Sequence, residues 1–214
     1  MNNFKILGIC GSLRKQSLNM SALKAAGSLM PHGMELTITN LIELPMYNQD
    51  VEAMGYPDSV DALREDVLAA DGLLFAAPEH NWSMSASLKN GIDWLSRFKK
   101  PRVPFDGKPC AVLSATLGPL GGARVQYDVR RSVTGLGGHF LVKPEVFIGM
   151  ANQKFDAQGG LADDLTRKFL TEQMVAFHDW IIRIKRAHDD LSVPTLGRLS
   201  SVHDLSRGFG GSTA

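Results

Sequence analysis

From Gly11 to Asn19 the chain reads GSLRKQSLN, which places two serines, an arginine, a lysine and an asparagine in one short turn. A plain chain reversal needs little more than a glycine and an asparagine. So dense a set of donors suits an anion. Gly11 permits the bend, Ser12 and Ser17 offer hydroxyls, and Arg14 offers a charged fork. Asn19 stands where a helix begins and its free N–H groups point back into the turn. The dinucleotide pattern G-x-G-x-x-G is missing: Gly8 and Gly11 lie three apart, with leucine where the next glycine belongs. Walker A is missing too. Hydroxyls without those glycines fit a terminal phosphate monoester better than a pyrophosphate. A cysteine phosphatase is excluded by spacing, because Cys10 precedes Arg14 by only four positions, too few for a phosphate loop to wrap the thiolate.

Two further polar stretches follow apolar runs. In APEHNWSMSASLKNGIDWLSRF, Pro78 stops a strand, Glu79 to Asn81 form a polar corner, and Ser83 or Ser85 caps a helix carrying Leu88, Ile92 and Leu95. Asp93 and Arg97 lie one turn apart, at pairing distance. Trp94 and Phe98 point away from the other apolar residues, toward either a partner subunit or this chain's own loops. In SATLGPLGGARVQ, Gly118, Gly121 and Gly122 let the backbone approach a flat ligand. Ser114 is a further cofactor-binding candidate. The next helix starts beside Arg124, where developing negative charge is favoured.

Those stretches must be carried by strands and helices. FKILGIC (4–10), GLLFAAP (72–78) and PCAVLSA (109–115) are continuous apolar runs, as in parallel strands buried on both faces. ELTITNL (35–41) and HFLVKPEVFIG (139–149) alternate and suit sheet edges. Helical periodicity covers about 18–30, 57–70, 84–98, 122–136 and 161–188. Five alternations of strand and helix predict an α/β fold, a doubly wound five-stranded parallel sheet in the order 2-1-3-4-5 with helices on both faces. Ligands bind such sheets outside the carboxyl ends of the strands. The turns after strands one, three and four then converge. Flavin mononucleotide (FMN) satisfies all three, with one phosphate for the first turn and a flat ring for the other two.

Composition narrows the alternatives. At 214 residues, 44% hydrophobic and 21% charged, the chain closes one large core, expected over 1–190. The serine- and glycine-rich 191–214 reads as a flexible tail, with Leu196, Leu199, Val202 and Leu205 as an alternative docking helix. Lysine plus arginine number 23 against 22 acidic residues, which gives no basic footprint for nucleic acid or anionic membrane. Cys10 and Cys110 are too far apart in sequence for a zinc motif and read as buried thiols, so no metal is expected. With neither a leader pattern nor a membrane-length apolar run, a cytoplasmic location is expected.

GSLRKQSLN, PEHNWSMSASLKNGIDWLSR and GPLGGARVQYDVR, in this order and spacing, resemble the NADPH-dependent FMN reductase family over roughly residues 4–185. The resemblance implies a flavodoxin-like fold and an enzyme that uses NADPH or NADH with FMN to reduce flavins, quinones, azo compounds or metal oxyanions. It implies that Ser12, Arg14, Ser17 and Asn19 hold the phosphate. Pro78, Glu79, His80 and Asn81 would hold the ribityl chain and ring, and Gly118, Gly121 and Gly122 the ring's far side. It also implies homodimers or dimers of dimers through the helix 84–98, with LPMYNQD (44–50) near the partner's site. Two departures stand out: His80 replaces the family's usual tyrosine, and Ser85-Ala86 replaces its usual proline-glycine. His80 is either a proton donor to a quinone or an ordinary loop histidine. The helix start after Gly122 is expected to stabilise negative charge on the ring. A flavodoxin-type electron carrier, reduced by a partner protein, is the alternative reading.

Overall fold

The computed structural model describes residues 3–98 and 103–192. The expected tail therefore lies outside the described residues, apart from 191 and 192, which continue the last helix. The candidate docking helix at Leu196 to Leu205 lies outside them as well.

Three fully apolar strands form the centre: β1 (Phe4–Cys10), β3 (Gly72–Ala76) and β6 (Pro109–Ala115). Strand β2 (Met34–Asn40) flanks β1, and all neighbours run parallel in the order β2-β1-β3-β6. The fifth position is shared by two short strands, β7 (His139–Phe140) and β8 (Val146–Ile148), which pair with the beginning and end of β6. The sequence predicts one strand over 139–149. Pro144 has no N–H to give a ladder, so pairing stops and resumes beyond it. The expected order 2-1-3-4-5 is otherwise observed.

Side chains on the central strands alternate between two cores, as a two-sided sheet requires. On one face Ile6, Leu74, Leu113 and their neighbours pack against α1 (Leu18–Ser28) and α6 (Asp164–Ser192) through Leu23, Leu170, Met174 and Phe177. On the other, Ile9, Phe75 and Val112 meet α3 (Asp58–Ala69), α4 (Ala86–Leu95) and α5 (Ala123–Thr134). Helix α6 starts where Asp163 accepts the Thr166 N–H at 2.8 Å, a cap that moves its start slightly past the expected 161. A short helix, α2 (Gln49–Ala53), and a hairpin of β4 (Glu79–His80) and β5 (Ser83–Met84) were not evident from periodicity. Among the described residues no helix is long and apolar enough to cross a membrane, and no cluster of ligating side chains could hold a metal.

Candidate functional site

The turns after β1, β3 and β6 are joined to one another. Gly11 donates its N–H to the Ala76 carbonyl at 2.9 Å, and its own carbonyl accepts the hydroxyls of Ser85 (2.6 Å) and Ser87 (2.8 Å) at the start of α4. A Cβ on residue 11 would come within 2.9 Å of Pro78, so glycine lets the first and third turns touch. The third and fourth turns are joined by Glu79. Its carboxylate accepts the backbone N–H of Arg124 (3.1 Å) and of Val125 (3.3 Å), and the Arg124 guanidinium at 3.0 Å. Gly122, before α5, has no side chain to cap that helix, and Glu79 does it from another strand end.

In the first turn, Ser17 caps α1 by accepting the Met20 N–H at 3.2 Å. Its buried hydroxyl also reaches the Cys10 thiol. Ser12 is half-buried, while Arg14 and Lys15 are exposed. Among the described residues neither cation has an acidic partner, and no carboxylate enters the turn. Two hydroxyls, two cations and the opening N–H groups of an eleven-residue helix therefore make a donor set without competing acceptors. Such a set fits the terminal phosphate of FMN. Burial pushes the Cys10 thiol up, which argues against its use as a nucleophile.

Several expected ligand residues have other partners. Asn19 is buried, and its carboxamide donates to the Ala115 carbonyl (2.9 Å) and accepts the Ala115 N–H (3.0 Å). That side chain ties α1 to the end of β6. Ser114 is likewise buried; it donates to the Gly121 carbonyl at 2.6 Å and accepts from Gln126 at 2.7 Å. Gly121 and Gly122 have φ of +61° and +79°, and a Cβ on either would strike Phe147 or Ser114. Their glycines are required by packing within the turn. Gly118 differs, because nothing lies within 4 Å of its would-be Cβ, while its carbonyl accepts the Met150 N–H (3.2 Å) and the Thr116 hydroxyl (3.1 Å). The N–H groups expected to face the ring after Gly122 already meet Glu79 at Arg124 and Val125.

Pro78 is buried, and the hairpin projects beyond it. His80 is exposed; its backbone pairs with Ser83 in the hairpin, and among the described residues its imidazole has no hydrogen-bond partner. Asn81 and Trp82 form the two-residue tip, with φ of +48° and +70°. Positive φ at both positions is the demand of a type I′ hairpin turn, usually met by Asn-Gly. Tryptophan there costs about 1–2 kcal/mol of backbone strain. Its ring is 71% exposed, and the Arg124 guanidinium lies over it at 3.7 Å from the centroid.

The stretch PEHNWSMSASLKNGIDWLSR also holds a loop. Trp94 is fully buried and donates its indole N–H to the Pro45 carbonyl at 2.8 Å; Asn90 donates to the same carbonyl and accepts the Tyr47 N–H. Phe98 stacks on Tyr56 at 4.1 Å. Of the two coverings left open by sequence, the chain's own 44–56 segment is the one observed for Trp94 and Phe98. Asp93 pairs with Lys89 (2.7 Å) and Arg97 with Glu52 (3.2 Å), in place of the expected Asp93–Arg97 pair.

A cavity of about 1060 Å³ opens at the opposite, amino ends of the strands, beside Gly33, Asp71 and Lys108. Three of its charges are engaged: Lys108 donates to the carbonyls of Leu68 and Ala70, and Lys185 pairs with Asp71. Doubly wound sheets bind ligands at the other end, where the three joined turns lie.

Residues 4–153 match the family model for NADPH-dependent FMN reductases. An NAD(P)H-dependent FMN reductase of Pseudomonas aeruginosa is 47% identical over 184 residues, which is 86% of this chain and 98% of that protein. A quinone reductase of Escherichia coli strain K12 is 37% identical, covering 85% of this chain and 97% of that one. Among solved structures, a flavoenzyme NAD(P)H:(acceptor) oxidoreductase of Paracoccus denitrificans superposes with a TM-score of 0.77 at 32% identity, over 84% of this chain and 98% of that chain. Turns, fold and relatives agree: the chain belongs to the NADPH-dependent FMN reductase family.

Proposed function

We propose that this flavin-dependent NAD(P)H oxidoreductase works by two alternating half-reactions at the three joined turns, with FMN held there throughout. The enzyme class and its FMN and NAD(P)H dependence follow from family membership; the residue roles and the order of steps are our reading. The observation that carries it is the first turn, rich in donors and free of acids among the described residues.

In this reading Arg14 and the hydroxyls of Ser12 and Ser17 take the phosphate, with the Leu18 and Asn19 N–H groups behind them. Asn19 contributes through its backbone, since its side chain is committed to Ala115. Held by these residues, FMN would supply the redox chemistry that links a nicotinamide donor to a second substrate. Pro78, the hairpin backbone at Glu79, His80 and Asn81, and the space left open beside Gly118 orient the ribityl chain and ring. Glu79 acts through α5, by keeping the third and fourth turns together. No general acid is required, and His80 is given no proton-transfer role.

A quinone or a free flavin is the acceptor that the named activities of the relatives favour, and azo compounds or metal oxyanions are tested beside them. A reduced nicotinamide donor suits a cytoplasmic location. A homodimer or dimer of dimers remains part of the reading through the family, with its contacts elsewhere than Trp94 and Phe98; light scattering at micromolar concentration measures it.

The decisive experiment loads the protein with FMN and adds NADPH under nitrogen. Bleaching of the 450 nm band, on the order of one equivalent per site, followed by recovery on adding quinone, is the expected result. A protein that takes up FMN but is not bleached by NADPH is a flavodoxin-type carrier. One that refuses FMN altogether removes the reading.

A further inference from the structure

We infer that Trp82 is a specificity-determining residue whose exposed ring face stacks a planar aromatic electron acceptor. This rests on the proposed function, because it presumes that the acceptor enters between the third and fourth turns.

Three observations converge on this residue. The tip of the β4–β5 hairpin forces φ to +70° at Trp82, a conformation that glycine takes without strain and an indole does not. The ring contributes little to the core, being 71% exposed. A large side chain kept against its own backbone preference, in solvent, has its use outside the fold, and strain of this kind gathers at ligand-binding places. The ring is also held in place. Arg124 lies over one face at 3.7 Å, and Arg124 is itself fixed by Glu79 at 3.0 Å. One face is thus backed by a cation while the other is left to a partner.

The location selects the partner. Trp82 belongs to the hairpin of the third turn, and Arg124 is the second residue of α5, directly after the fourth turn. The indole stands at the rim between those turns. An electron-poor flat ring such as a quinone gains offset stacking on an electron-rich indole, whereas a compact inorganic oxidant has no face to offer. The inference is therefore selectivity among acceptors, with Arg124 and Glu79 as positioning residues.

The test uses FMN-loaded protein with saturating NADPH and two acceptors, 1,4-naphthoquinone and ferricyanide. In both Trp82→Ala and Trp82→Gly the ratio of kcat/KM for the quinone to that for ferricyanide is expected to fall about 3- to 10-fold, through a higher KM for the quinone. Trp82→Phe restores most of the ratio. Without any ligand, Trp82→Gly melts above the unsubstituted protein, because the strain is relieved. An unchanged ratio in both variants overturns the inference. So does a rise confined to KM for NADPH, which assigns the ring to the donor. A change in oligomer mass with the ratio intact also overturns it, assigning the ring to a contact between copies. If the unsubstituted protein reduces neither acceptor, the proposed function itself has failed, an outcome distinct from these.

Discussion

Glu79→Ala tests whether the third and fourth turns are held together by protein or by ligand. In the structure the carboxylate caps α5 through two N–H groups and pairs with the Arg124 side chain. Loss of a cap costs about 1 kcal/mol. A negative charge at a helix N-terminus adds about 0.3–1 kcal/mol, and a partly exposed ion pair about 0.5 kcal/mol. The contacts share one carboxylate and do not add fully, so about 2 kcal/mol is expected. For a chain of this length each kcal/mol moves Tm by about 2–4 °C. Glu79→Ala therefore lowers Tm by about 4–8 °C, and Glu79→Gln, which keeps an acceptor but no charge, by roughly half. The assay is scanning calorimetry on protein stripped of flavin. A stripped Glu79→Ala protein that melts within about 1 °C of the parent, with a loss seen only when FMN is present, would make Glu79 a cofactor ligand and refute the capping argument.

Arg14→Ala is expected to raise the FMN dissociation constant about ten-fold or more, since one charge-assisted contact to phosphate is lost; flavin retained unchanged through dialysis contradicts it. Asn19→Ala leaves the buried Ala115 N–H and carbonyl without their partner and should cost about 2–3 kcal/mol in denaturant titration even without FMN. A loss of flavin affinity at unchanged stability would instead make the Asn19 carboxamide a ligand. Burial pushes the Asp71 carboxyl up, but Lys185 and the Lys5 N–H outweigh this and hold it below its ordinary value of 3.8. A depressed carboxylate stabilises the fold above its unfolded pKa, and that stability is lost as pH falls through the folded value. Asp71→Asn should lower Tm at pH 7 and flatten its decline below about pH 4; parallel curves for the two proteins would exclude this role.

The central strands were readable because a sheet covered on both faces leaves unbroken apolar runs, as in FKILGIC and PCAVLSA. The fifth strand was harder. Its alternation continues through 139–149, yet Pro144 interrupts the ladder and leaves two short pieces. The hairpin at Glu79 to Met84 has strands of two residues, below any period that sequence can display; its only signal was Asn81 before a position that needs positive φ. In the site, residue types revealed donors but not their targets. Asn19, Ser114 and Glu79 were identified as polar groups beside turns; Asn19 and Glu79 meet backbone from a distant element, and Ser114 meets the turn that follows its own strand. Trp94 and Phe98 showed an apolar face without showing what covers it, because the 44–56 segment that lies there has no regular pattern.

The carbonyl of Gly11 receives two hydroxyls from α4, Asn19 binds Ala115 on both sides of its amide, and Glu79 spans to α5. Together these bonds brace the rim from within, so the cost of ordering it falls on folding and not on ligand capture. Cofactor uptake then resembles a key entering a cut lock, with an on-rate that rises linearly with concentration and shows no plateau from a slow closing step.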